Sequence, residues 1–400
     1  MGGPAVPASH SAKSKPLILM VAGAKGAVGS TVAVAVETMR KNPQTILPSL
    51  TTANMFPYLG LPQAIQFSGW DTLPRTLIES IQYHGVLPEE KWRPYEDKLA
   101  QIQIRPAPSA KSGLHSQVEQ LTHDIQEFRS AHPDARPVFI MLLPACGQVN
   151  LSRYEDLAQL YSEVDPAGLP DLAYMICAIL SGLPVVNFTP NALEVPAIVR
   201  EAVKAGVPLA GRDGKTGQTY LKVVLASALK ARNLVVDGWY SLNILGNEDG
   251  KNLVDPEKAA GKVANKTEVL DEILGYRVGD RYRTSSHKVR IDYYPPRGDA
   301  KEAWDVIDFL GLFGLPMSLR LNLLARDSIL AAPLILDLAR WVAALRMAGR
   351  SGLIPELAFY FKRPVGLNPP LTFQDQIAKL RELELECNRA ALRSKNPAAY

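Results

Sequence analysis

The chain has 400 residues, 47% of them hydrophobic and 21% charged, with a formal net charge of +4. That length exceeds one ordinary core and points to about two domains of a globular rather than disordered protein. The small net charge, without a dense Lys/Arg block, argues against nucleic acid as a partner. The three cysteines, Cys146, Cys177 and Cys387, lack metal-type spacing and read as reduced packing residues of a cytoplasmic protein.

The first fifteen residues lack the basic start and apolar run of a signal peptide and read as a loose tail. Leu17 to Ala22 (LILMVA) is a short apolar run that ends in Gly23-Ala24-Lys25-Gly26-Ala27-Val28-Gly29, and Ser30 to Met39 suits a helix packed on a sheet. Strand, glycine turn and helix open a nucleotide-binding α/β unit, in which the helix N-terminus offers N–H groups to a pyrophosphate. The carboxylate that contacts a ribose is expected roughly twenty residues later. That region, LPSLTTANMF, carries none, and Asp71 is the nearest replacement.

Leu114 to Ser130 predicts an amphipathic helix, and Val138–Leu143 and Leu183–Asn187 predict buried parallel strands. A second glycine-rich stretch, Ala210 to Lys222 (AGRDGKTGQTYLK), resembles a phosphate loop but fails the test. The Walker pattern requires glycine at position 209, which is Leu209. Beyond it, Leu234–Ile244, Lys288–Tyr294 and Met317–Leu324 predict a mostly antiparallel sheet. Asp255-Pro256-Glu257 is a helix start, followed at four-residue steps by Lys258, Lys262 and Lys266. Like charges on one face cost about 0.2–0.5 kcal/mol per pair; an anionic ligand reverses that sign, whereas a solvated face makes it immaterial. Ser328 to Met347 is the most apolar late segment, and its Asp337, Arg340 and Arg346 fit a buried helix rather than a membrane span.

Six motifs then occur in one order: Asp213-Gly-Lys-Thr-Gly-Gln-Thr219, Asn243 to Gly250 (NILGNEDG), Lys262 with Lys266, Gly298-Asp-Ala-Lys301, Asp327 to Leu334 (DSILAAPL) and Phe361-Lys-Arg-Pro364. Together they resemble the core of the inositol-phosphate synthases. The likeness is collinear from about Val186 to Pro364 and looser in the N-terminal third, where Gly69-Trp70-Asp71 anchors it. It implies an α/β protein: a Rossmann-type doubly wound NAD-binding domain (16–214 and 328–400) interrupted by an α+β catalytic and oligomerisation domain (215–327), assembled as a homotetramer. The implied chemistry uses NAD without net redox change. The C5 hydroxyl of glucose 6-phosphate is oxidised, the ketone enolises, an internal aldol joins C6 to C1, and C5 is reduced again. By the same resemblance Lys262 serves the sugar oxygens and proton transfer, with Lys266 and Lys362 as neighbouring cations. Asp213 and Asp327 orient these lysines; Asn187, Asp213, Asn247 and Asp249 border the cofactor. Buried ammonium groups suit a reaction that builds negative charge on oxygen. No His/Cys cluster suggests a metal.

The pattern departs at Ile291-Asp-Tyr, where the family segment carries Ile-Lys-Tyr. Replacing that ammonium by the Asp292 carboxylate near a sugar phosphate reverses the local field, a change worth several kcal/mol at an effective dielectric of about 20. Another cation then compensates, or Asp292 pairs with a catalytic lysine, or the substrate differs. In the last case fructose 6-phosphate closes to a five-membered carbocycle. A simple NAD-dependent dehydrogenase and a non-catalytic NAD sensor are the readings of other classes, and neither needs Lys262, Lys266 and Lys362 together.

Overall fold

The computed structural model describes residues 14–146, 150–254 and 269–395. Seven parallel strands form the first sheet: β1 (Leu17–Ala22), β2 (Gln66–Asp71), β3 (Ile104–Pro106), β4 (Arg136–Met141), β5 (Val185–Asn187), β6 (Pro208–Gly211) and β11 (Gly352–Leu353). Their spatial order is β11-β6-β5-β4-β1-β2-β3. The uninterrupted apolar run of β1 is what a central parallel strand requires, because helices cover both its faces. On one face lie α1 (Ala27–Lys41) and the long helix Asp327–Met347; on the other lie the helices Leu114–Ala131, Asp171–Leu180 and Pro196–Lys204. Chain order places these as α1, α3, α4, α5 and α7, with α2 (Leu77–His84), α6 (Gly217–Ala231) and α8 (Phe373–Lys395) completing the set used below. Strand order reverses between β1 and β4, so the crevice for a ligand opens beyond their carboxyl ends.

The second sheet runs β10-β9-β7-β8, with β7 (Val235–Leu245), β8 (His287–Tyr293), β9 (Ala300–Leu310) and β10 (Pro316–Arg326). It is antiparallel except for the β7–β8 pair. Helix α6 packs on its inner face with Val223, Ala226, Val236, Trp239 and Ile307. β10 passes directly into α7, so the last residue of the second sheet is bonded to the first residue of a core helix of the first.

Helix α7 is long and apolar enough to cross a membrane, yet most of it is buried inside the protein. Its two central charges, Asp337 and Arg340, are each 1% exposed. The Asp337 carboxylate accepts four hydrogen bonds, from the backbone N–H and hydroxyl of Thr51 (3.0 and 2.7 Å) and of Thr52 (2.9 and 2.6 Å). Arg340 donates to the carbonyls of Thr52 and Gly60. Asp337→Ala strands those four donors, and a loss of about 3–5 kcal/mol is expected, read as a lower urea midpoint at unchanged m-value.

Candidate active site

The glycines of the first loop are fixed by contact. Gly23 has φ +88, and a Cβ there would stand 2.7 Å from the Leu142 carbonyl oxygen. A Cβ on Gly29 would stand 2.5 Å from the Gly23 carbonyl oxygen, so glycine lets α1 close onto the end of β1. The N–H groups of Gly23 and Ala24 are spent on the Trp70 carbonyl. The N-cap of α1 is Gly26, which brings no capping side chain, and Gly26 to Gly29 line a cleft of about 330 Å³. A helix start without a side-chain cap presents its first-turn N–H groups to an anion.

Asp71 ends β2 at the edge of this cradle, the place where a ribose-binding carboxylate belongs. Its Oδ2 accepts the Lys25 N–H (2.7 Å) and its Oδ1 the Leu73 N–H (2.9 Å), so it also braces the loop. Lys25 folds back, its ammonium donating to the Leu73 carbonyl (2.9 Å). His84, at the end of α2, lines the cleft with Nε2 3.0 Å from the Lys25 carbonyl. Burial holds its imidazole below the usual histidine pKa.

The opposite wall carries the charges. Asp213 sits in the left-handed region (φ +61), where a short polar side chain is tolerated. Its carboxylate is 2.7 Å from the Lys362 ammonium, and the Lys362 N–H donates to the Asp213 carbonyl (2.7 Å). Asp327, first residue of α7, accepts from Lys301 (2.9 Å) and from the Thr216 hydroxyl (3.1 Å). Asp299 accepts from Ser328 (3.0 Å), while its other oxygen is buried without a hydrogen-bond partner among the described residues. Burial raises the Asp299 pKa. The Lys362–Asp213 pair, Asp327 with its partner Lys301 behind it, and Asp299 thus meet the glycine cradle at one cleft. Behind them Asp305 takes hydrogen bonds from Gln218 (2.8 Å), Trp239 (2.8 Å) and Ser241 (2.6 Å), which fixes β9, and with it Lys301, against α6.

Several expected residues stand elsewhere. Asn187 does not line the cleft: its amide donates to the Asn191 carbonyl and Glu194, and its oxygen accepts from Thr189, so it braces the loop that carries Phe188 and Thr189 to the site. Asn247 does line it, its oxygen capping the next turn at Gly250 N–H. Lys262 and Lys266 lie outside the described residues, as does the side chain of Asp249. Asp292 departs most. Cross-strand partners share a face, and Asp292 pairs with Ile244, which pairs with Glu302. Lys301, one residue from Glu302, therefore points to the opposite, inner face with buried Ala303 and Asp305. Asp292 lies on the outer face, ion-paired to Arg290 at 2.9 Å, and the field reversal expected of it does not arise at the cleft. Lys301, Asp299 and His84 are the residues that sequence reasoning left without a role; the first two stood within the quoted Gly298–Lys301 motif.

The second glycine loop is resolved by packing. A Cβ on Gly214 would sit 2.0 Å from the Phe188 ring, so that glycine makes room for an aromatic side chain. Asp213 and Thr216 border the cleft, but Lys215 turns into the core, 3% exposed, and donates to the Ala358 carbonyl and to Gln376 (both 2.9 Å). Burial pushes its ammonium down to about 7. The unfolded chain therefore holds a proton that the folded core releases, and stability rises with pH above that value. Between about pH 7 and pH 8.5, below the thiol and phenol range, the urea midpoint is expected to climb, and less steeply in Lys215→Met.

A Rossmann-type sheet with acid and cationic side chains converging at its switch point defines an α/β enzyme. Residues 217–328 match the family model described as myo-inositol-1-phosphate synthase. Inositol-3-phosphate synthase 1 of Bacteroides thetaiotaomicron is 35% identical over 382 residues, covering 87% of this chain and 89% of that protein. The Spirodela polyrhiza inositol-3-phosphate synthase is 29% identical over 69% of this chain, which spans 59% of that longer relative. The Caenorhabditis elegans inositol-3-phosphate synthase structure superposes with a TM-score of 0.82 at 20% identity, over 94% of this chain and 86% of that one. A myo-inositol-1-phosphate synthase-related protein of Thermotoga maritima gives 0.75 at 22% identity, over 94% and 98%. The chain belongs to the inositol-3-phosphate synthase family.

Proposed function

We propose that the protein cyclises glucose 6-phosphate to an inositol monophosphate with NAD as a recycled cofactor. The observation that carries this reading is the shared cleft: the glycine cradle, Lys362, Asp213 and Asp327 line one cavity, with Lys301 paired to Asp327 at its edge. The cradle fits a dinucleotide, since Gly23 and Gly29 sit where a Cβ would collide with backbone and its helix N-terminus lacks a side-chain cap. Bound there, NAD supplies a reversible hydride acceptor for the C5 position. The chain's own part is electrostatic and positional. Lys362 and Lys301 hold positive charge toward the oxygens that become enolate and alkoxide, and Asp213 and Asp327 fix their direction. Lys262 and Lys266 are proposed to join them, with Asp71 near the ribose and Asn247 and Asp249 near the nicotinamide.

The division into a discontinuous NAD-binding domain (16–214, 328–400) and a catalytic domain (215–327) is part of the same proposal. So is a homotetramer, supported by the outer strand β10 and by the β9–β10 turn, where Leu312 and Phe313 are 80% and 89% exposed. The test is a paired assay with NAD, glucose 6-phosphate in one reaction and fructose 6-phosphate in the other, with products identified by mass and NMR. A six-membered inositol phosphate from glucose 6-phosphate, without NADH build-up, is the expected result. NADH accumulating with turnover, or a carbocycle from fructose 6-phosphate alone, overturns it.

A further inference from the structure

A second cavity, of about 420 Å³, lies at the other end of the parallel sheet, beneath the amino ends of β1, β4 and β5. Its wall includes Lys15, Arg129, His132, Arg136 and Arg346 among uncharged residues such as Leu183 and Met347, and no Asp or Glu lines it among the described residues. Among the described residues none of these five side chains, one lysine, three arginines and a histidine, has a carboxylate partner. A volume of this size is that of a small-molecule pocket.

Helix capping accounts for part of the arrangement. Arg129 donates to the Ser181 carbonyl (3.4 Å) just past α4, and Arg346 donates to the Ala205 (2.9 Å) and Gly206 carbonyls just past α5. Lys15 is held by the Pro133 carbonyl (3.1 Å). Carbonyls fix these groups without neutralising them: two helix ends contribute about half a negative charge each, against four cations. Arg136 is outside that account, since its Nε is buried and has no hydrogen-bond partner among the described residues. A guanidinium so placed is a donor waiting for an acceptor.

We infer that this cavity binds a small molecule bearing two or more phosphate groups, remote from the catalytic cleft. Paired arginines match phosphate oxygens in geometry, and an anion there relieves the repulsion among the four cations. One covalent element joins the two sites: α7 begins at Asp327 and Ser328 in the cleft and ends at Arg346 and Met347 in this cavity, about 30 Å away at 1.5 Å per residue.

The probe is inorganic pyrophosphate, titrated calorimetrically into the full-length protein. Because the cleft also attracts phosphates, two variants are run beside the wild type: Arg129→Gln with Arg136→Gln together, and Lys362→Ala in the cleft. Arg346 is left intact because it caps α5. A saturable site that weakens by at least about tenfold in the double variant and persists in Lys362→Ala is expected. Absence of saturable binding to the wild type at millimolar pyrophosphate overturns the inference, and so does equal binding by the double variant with an unchanged thermal midpoint. Either result leaves Arg129 and Arg346 as helix caps only.

Discussion

Lys362→Ala is expected to lower kcat by about 10²–10³-fold, the range seen when one preorganised donor to a developing oxyanion is removed. Lys362 is positioned twice, by the 2.7 Å ion pair with Asp213 and by its own N–H on the Asp213 carbonyl. The backbone bond survives the substitution, so the strand pairing of residues 360–365 with 211–215 persists and the loss falls on chemistry rather than folding. Asp213→Asn keeps a side chain of the same shape but removes the charge that aims the ammonium, and a smaller fall, about tenfold, is expected. The split between kcat and KM is the diagnostic: a donor used only as charge develops changes kcat, whereas a ground-state phosphate anchor changes KM. A Lys362→Ala enzyme within about threefold of the wild-type kcat, with the fold intact by urea midpoint, would show the pair to be structural.

Legibility from sequence followed the range of the contacts. The β1–glycine–α1 unit was readable because all its determinants lie within about fifteen residues. Asp71 fails the spacing rule. The segment between the end of α1 and the start of β2 (residues 42–65) lengthens the interval, yet Asp71 still ends β2. Lys215 was not readable, since its partners Ala358 and Gln376 are 143 and 161 residues away. Without them a lysine beside two glycines looks like a phosphate ligand. Asp292 failed for a different reason. Motif order gave its neighbours correctly, but a strand turns every second residue to the other face. Only the pairing of β7 with β8 and β9 decides which residues point inward. The lysine row at 258–266 was read from helical spacing and lies outside the described residues.

That geometry makes Lys301 and Asp292 an opposed pair of predictions. Lys301→Ala is expected to reduce kcat by about 10²-fold or more, because it removes the cation paired with Asp327, which lines the cleft and on which Thr216 also depends. Asp292→Ala is expected to change kcat and KM by no more than about twofold, as for other exposed positions, since its carboxylate is ion-paired with Arg290 on the outer face. Asp292→Lys, which restores the residue type of the family segment, should then bring no gain with glucose 6-phosphate and no loss with any other sugar phosphate. The comparison is sensitive because the two residues lie on adjacent registers of one sheet: Asp292 faces with Glu302, and Lys301 is the next residue along β9. If Asp292→Lys shifts the preference between glucose 6-phosphate and fructose 6-phosphate, the outer face reaches substrate, most simply through a neighbouring subunit. A large effect at Lys301 with silence at Asp292 instead confines the chemistry to the inner face of the sheet, where the two lysine–aspartate pairs meet the glycine cradle.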